Sequence, residues 1–161
     1  MIRPFWVAVA AYAVAWLVAA LTLPDRVPMH FDLAGEPDRW AARSAALLTF
    51  GLLGGASASL LGWLTHRVPR GDLRHVNVPH KQWWLTHRPE ELRSLLAQDL
   101  ELIATATMGL LTVVLAAVVA GARAEEPALP VWATVAVIAY VVGLLAWAAY
   151  VMLVRYRPPN P

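Results

Sequence analysis

Charged side chains are absent from four long stretches of the chain, and these stretches define its organisation. They cover residues 4–24, 44–66, 102–122 and 127–154, and are 21, 23, 21 and 28 residues long. Each can cross the roughly 30 Å hydrocarbon core of a bilayer, which takes about 20 residues of α-helix. Backbone polar groups in lipid must be hydrogen-bonded within their own segment, so each stretch is predicted to be helical. The pattern predicts an all-α, polytopic integral membrane protein with a bundle of four transmembrane helices.

The composition supports this class and argues against several others. Hydrophobic residues make up 59% and charged residues 15% of the 161 positions, whereas soluble domains have about 45–50% and about 25%. Cysteine is absent, which excludes disulfides and thiolate metal sites. The net charge of +2 comes without a basic run, so nothing indicates a nucleic-acid partner.

The helix boundaries follow from two helix-start patterns and from the ends of the apolar stretches. Glu36-Pro37-Asp38 and Arg88-Pro89-Glu90 each place a proline at a first helical position with an acid beside it, so helices are expected to begin near Pro37 and Pro89. The prediction is a single membrane domain over 1–161, with helix 1 at about 4–23, an outer loop at 24–36, helix 2 at about 37–65, an inner Trp-rich segment at 66–88, helix 3 at about 89–121 and helix 4 at about 128–154.

Lysine and arginine are distributed unequally between the two sides of the predicted membrane. One side has four: Arg26, Arg39, Arg43 and Arg123. The other has nine: Arg3, Arg67, Arg70, Arg74, Lys81, Arg88, Arg93, Arg155 and Arg157. Because basic residues accumulate on the cytoplasmic side, we expect both termini and the inner segment in the cytoplasm (N-in/C-in) and the loop at 24–36 outside.

Small residues recur at every fourth position of helix 2, where they allow another backbone to approach closely. Two arrangements remain open: helix 2 packs on helix 1 with Gly55 near Ala15, or helix 2 forms a homodimer through the same face. The rows are Gly51, Gly55 and Ser59, then Gly54, Ala58 and Gly62, with Ala11, Ala15 and Ala19 on helix 1.

The outer loop combines conformational restriction with polar chemistry. Pro24 and Pro28 restrict the backbone, and Gly35 permits a turn that is closed to other residues. We expect Asp32 or Asp38 to pair with Arg26, Arg39 or Arg43, and His30 to form a hydrogen bond. A divalent cation held by His30 and the carboxylates is the alternative, but their spacing is not diagnostic, and we assign no metal, cofactor or catalytic residue. The candidate recognition or structural site is Pro28, His30, Phe31, Asp32, Gly35, Asp38 and Arg39.

The inner segment has two adjacent tryptophans beside a lysine and a proline. Such residues favour the membrane interface, with rings at headgroup depth and the ammonium toward phosphate. Docking of a cytoplasmic partner is the alternative. The candidate interfacial or docking residues are Asn77, Pro79, Lys81, Trp83 and Trp84.

These two segments resemble a bacterial domain-of-unknown-function family that is found at the N-terminus of SdpI-type bacteriocin immunity proteins. The pattern Pro-x-His-aromatic-Asn/Asp…Gly-x-x-Asp is matched at Pro28, His30, Phe31, Asp32, Gly35 and Asp38, and a second pattern at Asn77, Pro79, Lys81, Trp83, Trp84 and Leu85. His80 stands where the family pattern has Asn. The resemblance implies a multi-pass protein of the bacterial inner membrane. SdpI-type proteins protect a producing cell from a secreted toxic peptide and can sequester a transcriptional repressor at the membrane. We expect no counterpart of the extra C-terminal helices of the full-length immunity proteins in residues 1–161, so immunity does not carry over directly.

The expected function is therefore a non-catalytic membrane role with an outward-facing recognition or structural loop, such as toxin immunity or membrane signalling. Within the apolar stretches only the terminal His66 is ionisable, which disfavours a transporter, and no nucleophile elbow or P-loop is present. The alternatives are a structural subunit of a larger membrane complex and an integral membrane enzyme that uses the outer-loop His and Asp residues. The expected partners are the lipid bilayer with a secreted peptide, another membrane subunit or a cytoplasmic regulator.

Overall fold

A computed structural model describes residues 3–32 and 34–158, and four long helices and a β-hairpin form the main part of this structure. The elements are α1 (Pro4–Thr22), β1 (Arg26–Phe31), β2 (Pro37–Ala42), α2 (Arg43–Arg67), a 3-10 turn (Leu73–His75), α3 (Lys81–His87), α4 (Pro89–Ala122), α5 (Val131–Tyr150) and a π-helical turn (Val151–Arg155). Helices α1, α2 and α4, and α5 together with its π-helical turn, are each long and apolar enough to span a membrane. The chain is an all-α polytopic membrane protein, as the sequence predicts.

The bundle has two chemically different ends. The hairpin and the α4–α5 linker (123–130) share one end, which we call the hairpin end. Residue 3, α3 and residues 156–158 share the opposite end, which we call the termini end. The nine-to-four distribution of basic residues predicts that the hairpin end faces outward.

Helix α4 is the centre of the bundle and packs against α1 and α2. Its Met108 and Leu115 are completely buried in a core that also contains Phe5 and Tyr12 of α1 and Phe50 of α2. The Tyr12 hydroxyl donates a 2.6 Å hydrogen bond to the Phe50 carbonyl. This bond satisfies a polar group that would otherwise be costly in the apolar core.

The contact between α1 and α2 uses a different glycine from the predicted one. A Cβ on Gly54 would overlap the Tyr12 ring, and a Cβ on Gly51 would lie 3.2 Å from Trp16 Nε1. Gly55 is exposed, and no atom lies within 4 Å of its Cβ position. The prediction that Gly55 faces α1 near Ala15 is therefore wrong within one chain, because aromatic rings rather than alanines fill the space beside the glycines. The homodimer through the Gly55 face stays a prediction.

Helix α2 begins at Arg43 and not near Pro37, which corrects the predicted boundary. Residues 37–42 instead pair with β1 in an antiparallel hairpin, in which Arg26 lies opposite Ala42 and Phe31 opposite Pro37. The helix-start pattern at Pro37 is a local signal, and the pairing with β1 overrides it by satisfying the same backbone groups. At Pro89, where no strand is available for pairing, α4 begins where the same pattern predicts.

Helix α5 packs loosely and is attached mainly at its two ends. Ala133 is its single buried residue. At the hairpin end the Leu129 amide donates a 2.9 Å hydrogen bond to the Gly35 carbonyl, and at the termini end Arg155 lies 2.7 Å from Asp99. In between, the Tyr140 and Thr107 hydroxyls are 3.2 Å apart.

Candidate functional site

The hairpin has a fixed shape that its own side chains and backbone determine. Val27 and Pro28 are buried at its base. At the tip, Asp32 Oδ1 accepts hydrogen bonds of 2.9 Å from the amides of Ala34 and Glu36. Gly35 has a φ of +85°, a conformation that favours glycine. Asp32 therefore shapes the turn, and the predicted pairing of this acid with an arginine is wrong.

His30 and Asp38 lie on opposite strands and form the polar pair of the hairpin. His30 Nδ1 is 2.6 Å from Asp38 Oδ1, and the two side chains are 60% and 50% exposed. The predicted hydrogen bond of His30 is confirmed, but its partner is the acid that was expected to bind an arginine. Two of the candidate arginines are engaged elsewhere: Arg26 stacks over the Trp40 ring at 5.7 Å, and Arg43 donates to the Ala20 carbonyl.

Two contacts hold the hairpin against the α4–α5 linker and the adjacent end of α4. One is the hydrogen bond from the Leu129 amide to Gly35. The other is a close approach at Gly121, where a Cβ would lie 2.6 Å from the Ala128 carbonyl oxygen and 3.5 Å from the Phe31 ring. The hairpin therefore extends across the hairpin end of the bundle as a roof rather than projecting freely.

Beneath this roof is an apolar cleft of about 520 Å³. Its size lies in the range of small-molecule sites, about 300–1,000 Å³. Helices α2 and α5 form the walls, α4 the floor and β1 the roof, and His30 lies at the edge. The few polar side chains of the lining are His30, Thr49 and Thr134. The full lining is Met29, His30, Phe31, Thr49, Phe50, Val113, Val114, Ala117, Val118, Leu129, Ala133, Thr134, Val137 and Ile138.

The two ends of the bundle carry charge of opposite sign. The hairpin end has six carboxylates (Asp25, Asp32, Glu36, Asp38, Glu125 and Glu126) and four arginines, which is a formal charge of −2. The termini end has nine basic residues and five carboxylates, which is +4. Among the described residues, no three His, Asp or Glu side chains lie together in a way that could hold a metal ion.

The predicted inner site is arranged differently from the expectation. Trp84 is buried, and its Nε1 donates a 2.9 Å hydrogen bond to the Tyr156 carbonyl. Trp83 stacks on His87 with ring centroids 5.0 Å apart. Lys81 donates to the Arg74 carbonyl. Trp84 is therefore packed inside the protein and Lys81 bonds to the protein backbone, whereas the predicted interfacial and docking roles of this segment both stay predictions.

The backbone at His80 explains the residue type at that position. His80 precedes α3 with a φ of 53°, the left-handed conformation that Asn, Asp and His adopt more readily than other residues with a Cβ. Asn, which the family pattern has here, and the histidine of this chain both fit this requirement. Asn77 is exposed and Pro79 half-buried beside it.

A polar cluster at the termini end is absent from the sequence predictions. Asp99 Oδ1 lies 2.7 Å from Arg155 Nε, and the two side chains are 10% and 16% exposed. Asp99 Oδ2 accepts a 2.8 Å hydrogen bond from the Tyr156 hydroxyl. Burial, together with this bond, raises the pKa of Tyr156 above its usual value. The available signal is spacing, because Asp99 follows the buried Leu92 and Leu96 on the same helix face.

One comparison with known proteins gives a match. The family described as "Domain of unknown function (DUF1648)" matches residues 7–54, which include the roof of the cleft and the α2 wall. The walls and floor contributed by α4 and α5 lie outside the match. The chain is thus similar to an uncharacterised domain family over α1, the hairpin and the start of α2. Searches of curated proteins and of solved structures find no match.

Proposed function

We propose that this chain is a non-catalytic membrane protein that recognises an amphipathic molecule at the outer face of a bacterial inner membrane. The observation that carries the proposal is the position of His30, which pairs with Asp38 and also lines the apolar cleft. A polar pair at the edge of an apolar cleft can bind the two parts of such a molecule at once. No catalytic residue, metal or cofactor enters this proposal.

The rigidity of the roof supports recognition over a purely connecting role. The turn is held by Asp32 and Gly35, and the tip is hydrogen-bonded to Leu129. A site that is already ordered loses less conformational entropy on binding than a flexible loop does. A connector between two helices does not need this arrangement.

The cellular role that fits this site is toxin immunity or membrane signalling, in line with the resemblance to SdpI-type proteins. Capture of a toxic molecule at the outer face would protect the cell. Movement of α5 on binding would carry a signal, because α5 lines the cleft and continues into the π-helical turn that ends at Arg155 in the termini end.

A structural subunit of a larger membrane complex is the second candidate. The observation that favours it is the exposure of α5. The most apolar 18-residue stretch of α5 and its π-helical turn contains no buried residue. A partner helix would find an uninterrupted apolar surface there. A stable complex that survives purification in mild detergent, and that α5 variants disrupt, would support this candidate.

The test measures, for the same variants, the survival of cells exposed to toxic secretions and the stability of the protein. Cells that express the wild-type chain, His30→Ala or Thr134→Phe are challenged with a panel of membrane-active bacterial secretions. We expect wild-type cells to survive a higher dose of one of them, and both variants to lose this protection at normal abundance and melting temperature. Thr134→Phe fills the cleft, and Ala139→Phe on the exposed side of α5 is the matched control that keeps protection.

Equal protection by all four chains would contradict a recognition role. If protection is lost only in variants whose melting temperature and abundance are also lower, the hairpin has a structural role and no role in recognition.

A further inference from the structure

We infer that the cleft takes a single-chain amphiphile with a cationic head, whose aliphatic chain lies between α2 and α5 and whose positive charge lies at Asp38. The site is that of the proposed function, and the inference adds the chemical class of its ligand. It is carried by three features: the dimensions of the cleft, the atoms at its edge and the charge of the hairpin end.

The dimensions favour an aliphatic chain over a peptide helix. The lining covers only residues 113–118 of α4 and 133–138 of α5, which is about 9 Å of helix at 1.5 Å per residue. A peptide helix is about 10 Å across, and the roof of Met29 and Phe31 blocks its path along the bundle. An aliphatic chain is thinner than a helix and fits the short space between α2 and α5.

Asp38 does not line the cleft itself, but it is bonded to His30, which does, and it offers an acceptor for a cation beside the cleft. Asp38 is half exposed, and its Oδ1 binds His30. Its Oδ2 makes no hydrogen bond to another described residue, so it is available to a positively charged group. A charge-assisted contact to a carboxylate is stronger than a neutral hydrogen bond.

The net charge of the hairpin end also favours a cationic ligand. The hairpin end has a formal charge of −2 and the termini end +4, so an approaching cation is attracted to the roof, whereas an anion is repelled. Such attraction acts over about a Debye length, roughly 8 Å at physiological salt. Within the hairpin that covers the cleft, the three acids at 32, 36 and 38 outnumber the two arginines at 26 and 39.

The test uses two photoreactive probes that differ only in head charge. Diazirine-bearing dodecylamine and diazirine-bearing dodecanoate are added to the full chain in nanodiscs of phosphatidylcholine, and labelled residues are located by mass spectrometry. We expect the amine to label residues 113–118 and 133–138 at about tenfold lower concentration than the acid, which corresponds to a charge-assisted contact.

Four variants test separately the part of the cleft that holds the aliphatic chain and the acid that binds the cationic head. Thr134→Phe should abolish labelling by both probes, and Ala139→Phe should leave it unchanged. Asp38→Asn keeps an oxygen that accepts from His30 but removes the charge, so the preference for the amine should fall to near parity. Melting temperatures of all variants are measured alongside, and His30→Gln, which leaves Asp38 charged, should keep the preference if Asp38→Asn does not fold.

Equal labelling by amine and acid in the wild-type chain would overturn the inference, as would a preference that survives in Asp38→Asn. A photoreactive apolar helical peptide with one lysine is the third probe, and its displacement of the amine from residues 133–138 would assign the cleft to a peptide instead. If the cleft shows no preference for the amine but cells remain protected, the inferred ligand class is wrong and the proposed cellular role stands. If the amine labels the cleft selectively but protection does not depend on His30, the cellular role is wrong and the ligand class stands.

Discussion

The Tyr156 hydroxyl donates a 2.8 Å hydrogen bond to Asp99 Oδ2 across 57 residues of sequence. Arg155 approaches the other oxygen of the same carboxylate to 2.7 Å. One acid of α4 therefore binds two consecutive residues, the last of the π-helical turn that follows α5 and the residue after it. At the termini end, this cluster compensates for the loose packing of α5.

Removing one partner of the Asp99–Arg155 pair should destabilise the protein more than removing both. Arg155→Met leaves a largely buried carboxylate unpaired, which we expect to lower the unfolding free energy by roughly 3 kcal/mol. The double variant Asp99→Leu with Arg155→Met should recover part of this loss. Denaturant unfolding in detergent measures both, and Arg157→Met, at an exposed neighbouring position, is the control. Equal losses in Arg155→Met and Arg157→Met would contradict a structural role for the pair.

The Tyr156 bond should make stability depend on alkaline pH. The folded pKa of Tyr156 lies above the unfolded value, about 10, so its contribution is complete below pH 10 and is lost as pH rises toward the folded pKa. Tyr156→Phe should be less stable by about 1 kcal/mol at pH 7, and the difference should shrink above pH 10.

Unfolding free energies of the wild-type chain and Tyr156→Phe between pH 7 and 11 test this expectation. Tyr150→Phe, at an exposed position, should show no such trend. A difference that stays constant to pH 11 would exclude the proposed titration.

Substitution by leucine should destabilise the protein at Gly54 but not at the adjacent Gly55 of α2. Gly54→Leu places a side chain in the Tyr12 ring, and overpacking of this kind costs about 1–3 kcal/mol or more. Gly55→Leu meets no atom of the same chain, so it should leave the stability of a monomer unchanged. Melting curves and the oligomeric state are measured together, because dissociation of a dimer by Gly55→Leu would show that this face binds a second copy.

The left-handed backbone of His80 makes glycine acceptable and a β-branched residue costly at this position. His80→Gly relieves a steric cost of about 1 kcal/mol at a φ of 53°, although glycine also loses more entropy on folding. We expect a neutral to slightly higher melting temperature for His80→Gly and a clear decrease for the β-branched variant His80→Val. A higher melting temperature for His80→Val would be incompatible with this backbone conformation.

The predicted orientation can be tested by labelling single cysteines in a chain that has none. Cysteines at Ala34 and Ala124 should react with an impermeant thiol reagent in intact cells, and a cysteine at Gln82 should react only after lysis. The reverse pattern would place the hairpin end in the cytoplasm.

The sequence predicts the spanning helices well because their signal is local and continuous. The absence of charge over 20 or more residues defines each span, and Pro89 marks the start of α4. The hairpin is missed since the pattern at Pro37 is a helix start in isolation, and only pairing with β1 makes it a strand. The contact of Asp99 with Arg155 joins residues far apart in sequence, so no spacing rule identifies the partner.

The main buried core contains residues of α1, α2 and α4 with Val27 and Leu23, and none from α5. Segments that share a core fold and unfold together, whereas a segment attached by a few contacts separates at lower cost. We therefore expect assembly in two steps: the first three spans form a stable unit as they leave the ribosome, and the fourth joins afterwards. The last span is then the part of the molecule that a cell, or a denaturant, can detach without unfolding the remainder.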